Sequence, residues 1–154
     1  MISNLVLNRQ RRIKIDSGAV KIFCGALAES LNITDRAFSV IFAGKTAMRR
    51  LNNEWRKKDF ATDVLSFAYD DEFVDDMPFL GEIVIAPEIA VCQAAEYGTT
   101  PEHEIRKLIV HGVLHLMGYD HETDGGEMIK IQKRVLRRRF FTEDPGITGG
   151  EVPL

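Results

Sequence analysis

The sequence predicts an α+β fold: a single compact domain, with a roughly four-stranded mixed sheet packed against about five helices, one of them a metalloprotease-like His-rich helix. Three observations predict it. The chain has 154 residues, enough for one ordinary domain with a real core and too few for two. Its composition, 45% hydrophobic and 28% charged, excludes a disordered or collagen-like chain. Segments with strand-like runs and segments with helical apolar spacing both occur, but they do not alternate strictly, which disfavours a regular doubly wound sheet.

The elements follow in order. Ile2 to Leu7 reads as a short strand leading into the basic stretch Arg9-Gln10-Arg11-Arg12. Asp16 or Ser17 caps a helix whose apolar residues Val20, Phe23, Cys24, Leu27 and Leu31 recur at helical spacing. Ala37 to Phe42 is aromatic and β-branched, a strand stopped by Gly44. Thr46 caps a second helix with Met48, Leu51 and Trp55 inward and Arg49, Arg50 and Arg56 more exposed. Arg56 to Asp63 has no clean period and reads as a loop. Val64 to Ala68 is a short strand, and the five acids between Asp70 and Asp76 repel one another into a surface loop or turn.

Glu82 to Ala86 makes a further strand. Pro87 suits the first position of a helix running to Tyr97 and ended by Gly98. Thr100-Pro101 opens the next helix, which carries Ile105, Leu108, Ile109, Val113 and Leu116 and ends near Gly118. Asp124 and Glu127 form a capping pair for a last helix with Met128, Ile131, Val135 and Leu136 inward. The tail from Thr142, rich in Gly and Pro, reads as a flexible end over 142–154, leaving residues 1–141 as the domain.

The net charge of −3 conceals an uneven distribution. Residues 9–58 hold twelve Lys/Arg against four Asp/Glu, residues 59–127 two against sixteen, and residues 128–154 six against three. Two basic stretches therefore bracket an acidic middle, and a fold that joins them has a basic face despite its acidic total. Cys24 and Cys92 sit among apolar neighbours outside any CxxC pattern, which predicts buried free thiols over a disulfide or a zinc-thiolate site. The N-terminal apolar run is too short for a secretory signal and its Arg residues follow it instead of preceding it. No stretch approaches the length of a membrane span, so the expected location is the cytoplasm, with no membrane partner.

Three of the four histidines fall within His111-Gly112-Val113-Leu114-His115-Leu116-Met117-Gly118-Tyr119-Asp120-His121. A spacing of four puts His111 and His115 on one helical face, about 5–6 Å apart at Cβ. From there two imidazoles can converge on one ion about 2.0–2.1 Å from each nitrogen. On an unbroken helix His121 would lie about 15 Å further along the axis than His111. Gly118 permits a left-handed turn that brings it back as a third ligand. Three imidazoles leave one tetrahedral position for water, which favours an open, hydrolytic zinc site over a closed structural one. The same donors suit nickel or another divalent transition metal. His103, two turns before His111, cannot reach the same ion and reads as a surface residue. The spacing also matches the zinc-peptidase pattern HExxHxxGxxH with its Glu replaced by Gly112, which argues against peptide hydrolysis by the usual route.

The segment HGVLHLMGYDH resembles the signature of the bacterial rRNA maturation factor YbeY, a family of metal-dependent single-strand endoribonucleases. Leu51 to Asp59, with Thr62 to Phe67 after it, resembles the family's second motif, and Leu80 to Ala86 its third. The order and spacing extend to Phe141. The resemblance implies zinc ligands at His111, His115 and His121 and a cleft arginine at Arg56. It further implies a role in small-subunit rRNA 3′-end processing and ribosome quality control, with single-stranded RNA and rRNA as substrates and small-subunit ribosomal proteins as further partners. Glu82 stands where the family usually has Asp. The residues agree: Arg56 has a planar five-donor fork suited to phosphate oxygens, beside Lys57 and Lys58, while Thr62, Asp63 and Ser66 are candidates to orient the loop. Two competing readings share these features. One is a metallohydrolase of another substrate class. The other is a non-enzymatic ribosome assembly factor with a structural metal, docking through Lys130, Lys133, Arg134, Arg137, Arg138 and Arg139.

Overall fold

The computed structural model describes residues 5–138 and Ile147. Strands β1 (Leu5–Asn8), β2 (Ala37–Phe42), β3 (Val64–Ala68), β4 (Phe73–Val74) and β5 (Met77–Ile85) alternate irregularly with five helices. These are α1 (Ser17–Ser30), α2 (Lys45–Arg56), α3 (Pro87–Tyr97), α4 (Pro101–Leu116) and α5 (Glu127–Leu136). The sheet runs β1-β2-β5-β3, with β4 paired to the outer part of β5. β1, β2 and β5 are parallel, while β3 is antiparallel to β5 and forms an edge. The expected α+β domain is therefore what forms, with one strand more than expected.

Strand alternation divides the interior in two. Phe38, Val40 and Phe42 of β2 and Ile83 and Ile85 of β5 face α1, α4 and α5 in the main core, with Phe23, Leu27, Ile105, Ile109 and Leu114 fully buried. Val84 and Leu65 point the other way and meet Met48 of α2 with Ala43 and Ala86 in a smaller cluster. α2 thus stands on the opposite face of the sheet from the other core helices. It covers only part of that face.

Local chemistry accounts for the helix ends. Asp16 Oδ1 accepts from the Ala19 amide at 3.0 Å and caps α1. Thr100 Oγ1 accepts from His103 N at 3.1 Å and caps α4. Other ends differ from expectation. α2 begins after Gly44 without a cap from Thr46, and Glu88 Oε1 accepts from the Lys45 amide instead. At α5 the capping residue is Gly126, while Asp124 accepts from the amides of Gly126 and Met128 and Glu127 accepts from Gly125. The expected pair thus holds the turn before the helix, with the cap two residues further along.

Four sequence expectations are corrected. The acidic segment from Asp70 to Asp76 is not all loop: Phe73 and Val74 pair with Pro78 and Met77 in a tight hairpin. Its turn residues Asp75 and Asp76 have φ of 50° and 63°, the left-handed pair a two-residue hairpin needs and Asp tolerates, so two of the five acids sit at its solvent tip. The strand expected from Glu82 consequently begins at Met77. Trp55 is not inward but 64% exposed, because α2 ends one residue later and its last turn overhangs the sheet. Cys24 is buried, as expected, with burial pushing its thiol up to about 12, whereas Cys92 is exposed on the outer side of α3. Of the stretch expected to form a tail, only Ile147 lies among the described residues. It is fully buried in the main core, and its carbonyl accepts from Asp16 N at 2.8 Å. The start of the first expected strand and Arg139 lie outside the described residues.

One contact sets how close α4 lies to the sheet. A Cβ at Gly112 would stand 2.7 Å from Ile83 Cγ2 and 2.9 Å from its Cγ1, too close for any side chain. Gly112→Ala should therefore lower the denaturation midpoint, because overpacking of this kind costs about 1–3 kcal/mol against the roughly 1 kcal/mol that Ala gains in a helix. Equilibrium unfolding checks the mechanism: Ile83→Ala should cost distinctly less in the Gly112→Ala background than in the wild type. Additive losses would mean that the steric contact is not the cause.

Candidate metal centre and its cleft

With α4 lying close on the sheet, the flank of the helix that carries His111 and His115 opens toward the β3 edge. Val64, Ser66 and Ala68 of β3 form one wall there, and Gly118 to Glu122 beyond α4 form another. The cleft between them is about 530 Å³. Gly118, at φ 101°, makes the left-handed turn that ends α4, with Gly118 N bonded to His115 O and Tyr119 N to Leu114 O. The chain then folds back and delivers His121.

All three histidines converge. His111 Nε2 and His115 Nε2 are 3.1 Å apart, the three ring centroids lie 4.6–5.5 Å from one another, and the donor atoms all fall within 4.8 Å. Tetrahedral coordination at 2.0–2.1 Å separates nitrogens by roughly 3.3–3.4 Å, so the first pair already has the required spacing. His121, the exposed member, is within side-chain adjustment of it. Among the described residues no other group of three such donors is drawn together.

The surroundings prepare these nitrogens as acceptors. Gln132 Oε1 lies 3.3 Å from His111 Nδ1 and takes its proton as a hydrogen bond, which leaves Nε2 with a bare lone pair. With that acceptor 3.1 Å from His115 Nε2, the two rings are spaced to share one cation, and this chemistry fits a metal ion. Burial, then the neighbouring His115, holds the His111 ring below the ordinary histidine pKa. Burial, then His121, does the same for His115, with Arg56 adding to it. Both rings are therefore neutral at neutral pH, the form that binds metals.

Arg56, the last residue of α2, reaches this cleft from across the sheet edge. The loop from Lys57 to Asp63 is tied down at two points. Arg49 makes a two-pronged exposed ion pair with Asp59 at 2.8 and 3.0 Å, and the buried amide of Asn52 donates to Phe60 O at 2.9 Å. Thus Thr62 and Asp63 also line the cleft. The Asp63 carboxylate accepts from Gln93 Nε2 at 3.1 Å and lies near enough to His111 to act on its charge. Asp120 and Glu122 line the cleft too, and Asp120 Oδ1 accepts from Glu122 N at 3.0 Å.

His103 stands apart and exposed on the first turn of α4. Glu82 is not in the cleft: it lies on the α2 face of the sheet and accepts from the Tyr69 hydroxyl at 3.2 Å. Gln132 and Gln93 escaped sequence reasoning. A signal for Gln132 exists, since it stands four residues after Met128 and three before Val135, on the inward stripe of α5.

The model of the family described as Endoribonuclease YbeY matches residues 5–139. A relative named Endoribonuclease YbeY from Thermodesulfovibrio yellowstonii is 38% identical over 146 residues, covering 86% of this chain and 92% of its own. One of the same name from Aquifex aeolicus is 37% identical, covering 84% and 86%. The solution structure of a Thermotoga maritima protein matches with a TM-score of 0.61 at 32% identity, covering 85% of each chain.

The lowered histidine pKa values fix a sign for the metal-free protein. Unfolded histidines titrate near 6.5, so as pH falls through that value the unfolded chain takes up protons that the folded one refuses, and stability drops. The thermal midpoint of the chelator-treated protein should fall between pH 7 and 5. His111→Asn should flatten that slope; an unaltered slope would show that the ring is not held neutral by the fold.

Proposed function

Given that the chain belongs to the YbeY endoribonuclease family, we propose that it is a zinc-dependent, single-strand-specific endoribonuclease of the cytoplasm. In this reading it acts in rRNA maturation, at the 3′ end of the small-subunit rRNA, and in ribosome quality control, in contact with small-subunit ribosomal proteins. The observation that carries the reading is the convergence of three imidazoles and one arginine in one open cleft. His111, His115 and His121 hold the metal, zinc by preference, with nickel or another divalent transition metal fitting the same donors. When bound, the ion supplies Lewis-acid and water-activating chemistry at the phosphate.

The remaining work falls to the chain. Arg56 binds the non-bridging oxygens of the scissile phosphodiester with its planar fork and offsets the charge that grows on them during cleavage. Gln132 keeps the His111 ring in one tautomer and orientation, as hydrogen-bonded partners of metal ligands generally do. Asp63, steadied by Gln93, keeps a negative charge beside His111 without standing among the donors. A cleft of about 530 Å³ is in the size range of sites that enclose small ligands, which suits a segment of one strand better than a duplex. Gly112 has no side chain to act as a peptidase's glutamate, which favours the ribonuclease over a peptidase.

Two variants test this with a labelled single-stranded RNA and protein free of contaminating ribonuclease. His115→Ala should lose stoichiometric metal and cleavage together; normal cleavage by the metal-free variant would end the hydrolase reading. Arg56→Glu should retain metal and fold and lose cleavage by about two orders of magnitude or more, the usual scale for removing a charge-stabilising donor. Unchanged turnover would remove Arg56 from the site.

A further inference from the structure

A second cavity, about 590 Å³, lies on the opposite face of the sheet, where α2 leaves it uncovered. Ala47, Leu51 and Trp55, at successive helical turns of α2, form one wall; Val84 of β5 and Phe67 of β3 form the floor; Tyr69 and Arg9 stand at its ends. Trp55 is 64% exposed and Tyr69 41%. Each ring is steadied edge-on from one side, Trp55 by Phe67 at 5.9 Å and Tyr69 by Phe79 at 5.3 Å. The groove holds one carboxylate, Glu82, which is engaged by the Tyr69 hydroxyl.

This groove adjoins the metal cleft across the β3 edge. Ala68 lines both. Along the edge strand β3, Val64 and Ser66 face the cleft and Phe67 faces the groove. At the end of α2 the consecutive residues Trp55 and Arg56 face the groove and the cleft respectively. A polyanion held at Arg56 therefore has only the β3 edge to cross before it meets exposed aromatic faces. On the far side of Tyr69, Asp70, Asp71 and Glu72 repel a phosphate backbone, whereas Arg9, followed by exposed Arg11 and Arg12, attracts one. Exposed aromatics interleaved with arginine along a groove are the elements with which proteins hold unpaired bases.

We infer that the groove is a second RNA subsite, in which unpaired nucleotides next to the scissile phosphate stack on Trp55 and Tyr69 with their backbone directed toward Arg9. This rests on the ribonuclease reading above and extends it, placing part of the substrate affinity on the face of the sheet opposite the metal.

Trp55 is the single tryptophan of the chain, so its emission reports on this groove alone. Titrating the metal-loaded protein with a nuclease-resistant 2′-O-methyl oligoribonucleotide of about eight unpaired nucleotides should quench that emission saturably. Trp55→Ala, at an exposed position, should raise KM for single-stranded RNA about tenfold, the scale of one lost base stack, while kcat changes much less. Tyr69→Ala should act in the same direction, with circular dichroism confirming the fold of both. Emission unmoved by RNA, with KM unaltered in both variants of a protein that still cleaves, would overturn the subsite and leave the ribonuclease reading standing. A response of Trp55 to ribosomal protein and none to RNA would overturn it too. Quenching by RNA in a metal-loaded protein that never cleaves would support the subsite and end the ribonuclease reading.

Discussion

The contact between Gly112 and Ile83 is the constraint on which the cleft depends. A helix lying on a sheet normally keeps the distance its side chains impose. Here one position without a side chain lets the α4 backbone settle onto β5. The same contact fixes the helix about its own axis, so that positions 111 and 115, one before and three after the glycine, turn toward the β3 edge. A residue that looks like a missing catalytic acid in a peptidase pattern is thus a packing device. Its side-chain direction leads into the core and away from the histidines.

From this contact the rest of the site follows by short connections. Gly118 ends α4 just as the histidine face reaches solvent, and the reversal carries His121 back over the same spot. α5 then crosses close enough for Gln132 to reach the far nitrogen of His111. On the other side, the tethered loop after α2 carries Thr62 and Asp63 to the cleft, and Arg56 comes with the helix end that precedes it. Four separate segments supply the cleft, and the tight α4–sheet contact holds them in register.

Much of this was legible in the sequence because it rests on local periodicities. The His111–His115 spacing, the glycine that turns the chain, and the caps at Asp16 and Thr100 are each decided within a few residues. What was not legible depends on tertiary context. Nothing local shows that α2 overhangs the sheet and leaves Trp55 exposed, or that Cys92 falls on the outer side of α3. The Asp75-Asp76 turn was hidden by the reasonable expectation that clustered acids avoid ordered structure; at a hairpin tip their charges are already in water. Gln132 and Gln93 were hidden because a polar residue on a helix is usually a solvated one, and only the assembled cleft shows what they touch. The formal charge misleads for a related reason: the acids of the central segment are spread over several surfaces, while among the described residues Arg56 alone of the basic flanks lines the histidine cleft.

The edge strand β3 carries a further consequence. Its alternate side chains belong to two chambers, Ser66 on one side and Phe67 on the other, with only the thickness of a single backbone between them. In a strand the side-chain period is two, so a slip of one residue against β5 would exchange every inward and outward group. Such an error would not merely weaken the sheet; it would place Phe67 beside the histidines and Ser66 beneath Trp55. The pairing of Leu65 with Val84, both committed to the small cluster under α2, forbids that slip by its cost in exposed apolar surface. Fidelity of strand registration and identity of the two surfaces are therefore one property, and the hydrophobic residues that protect the first also preserve the second.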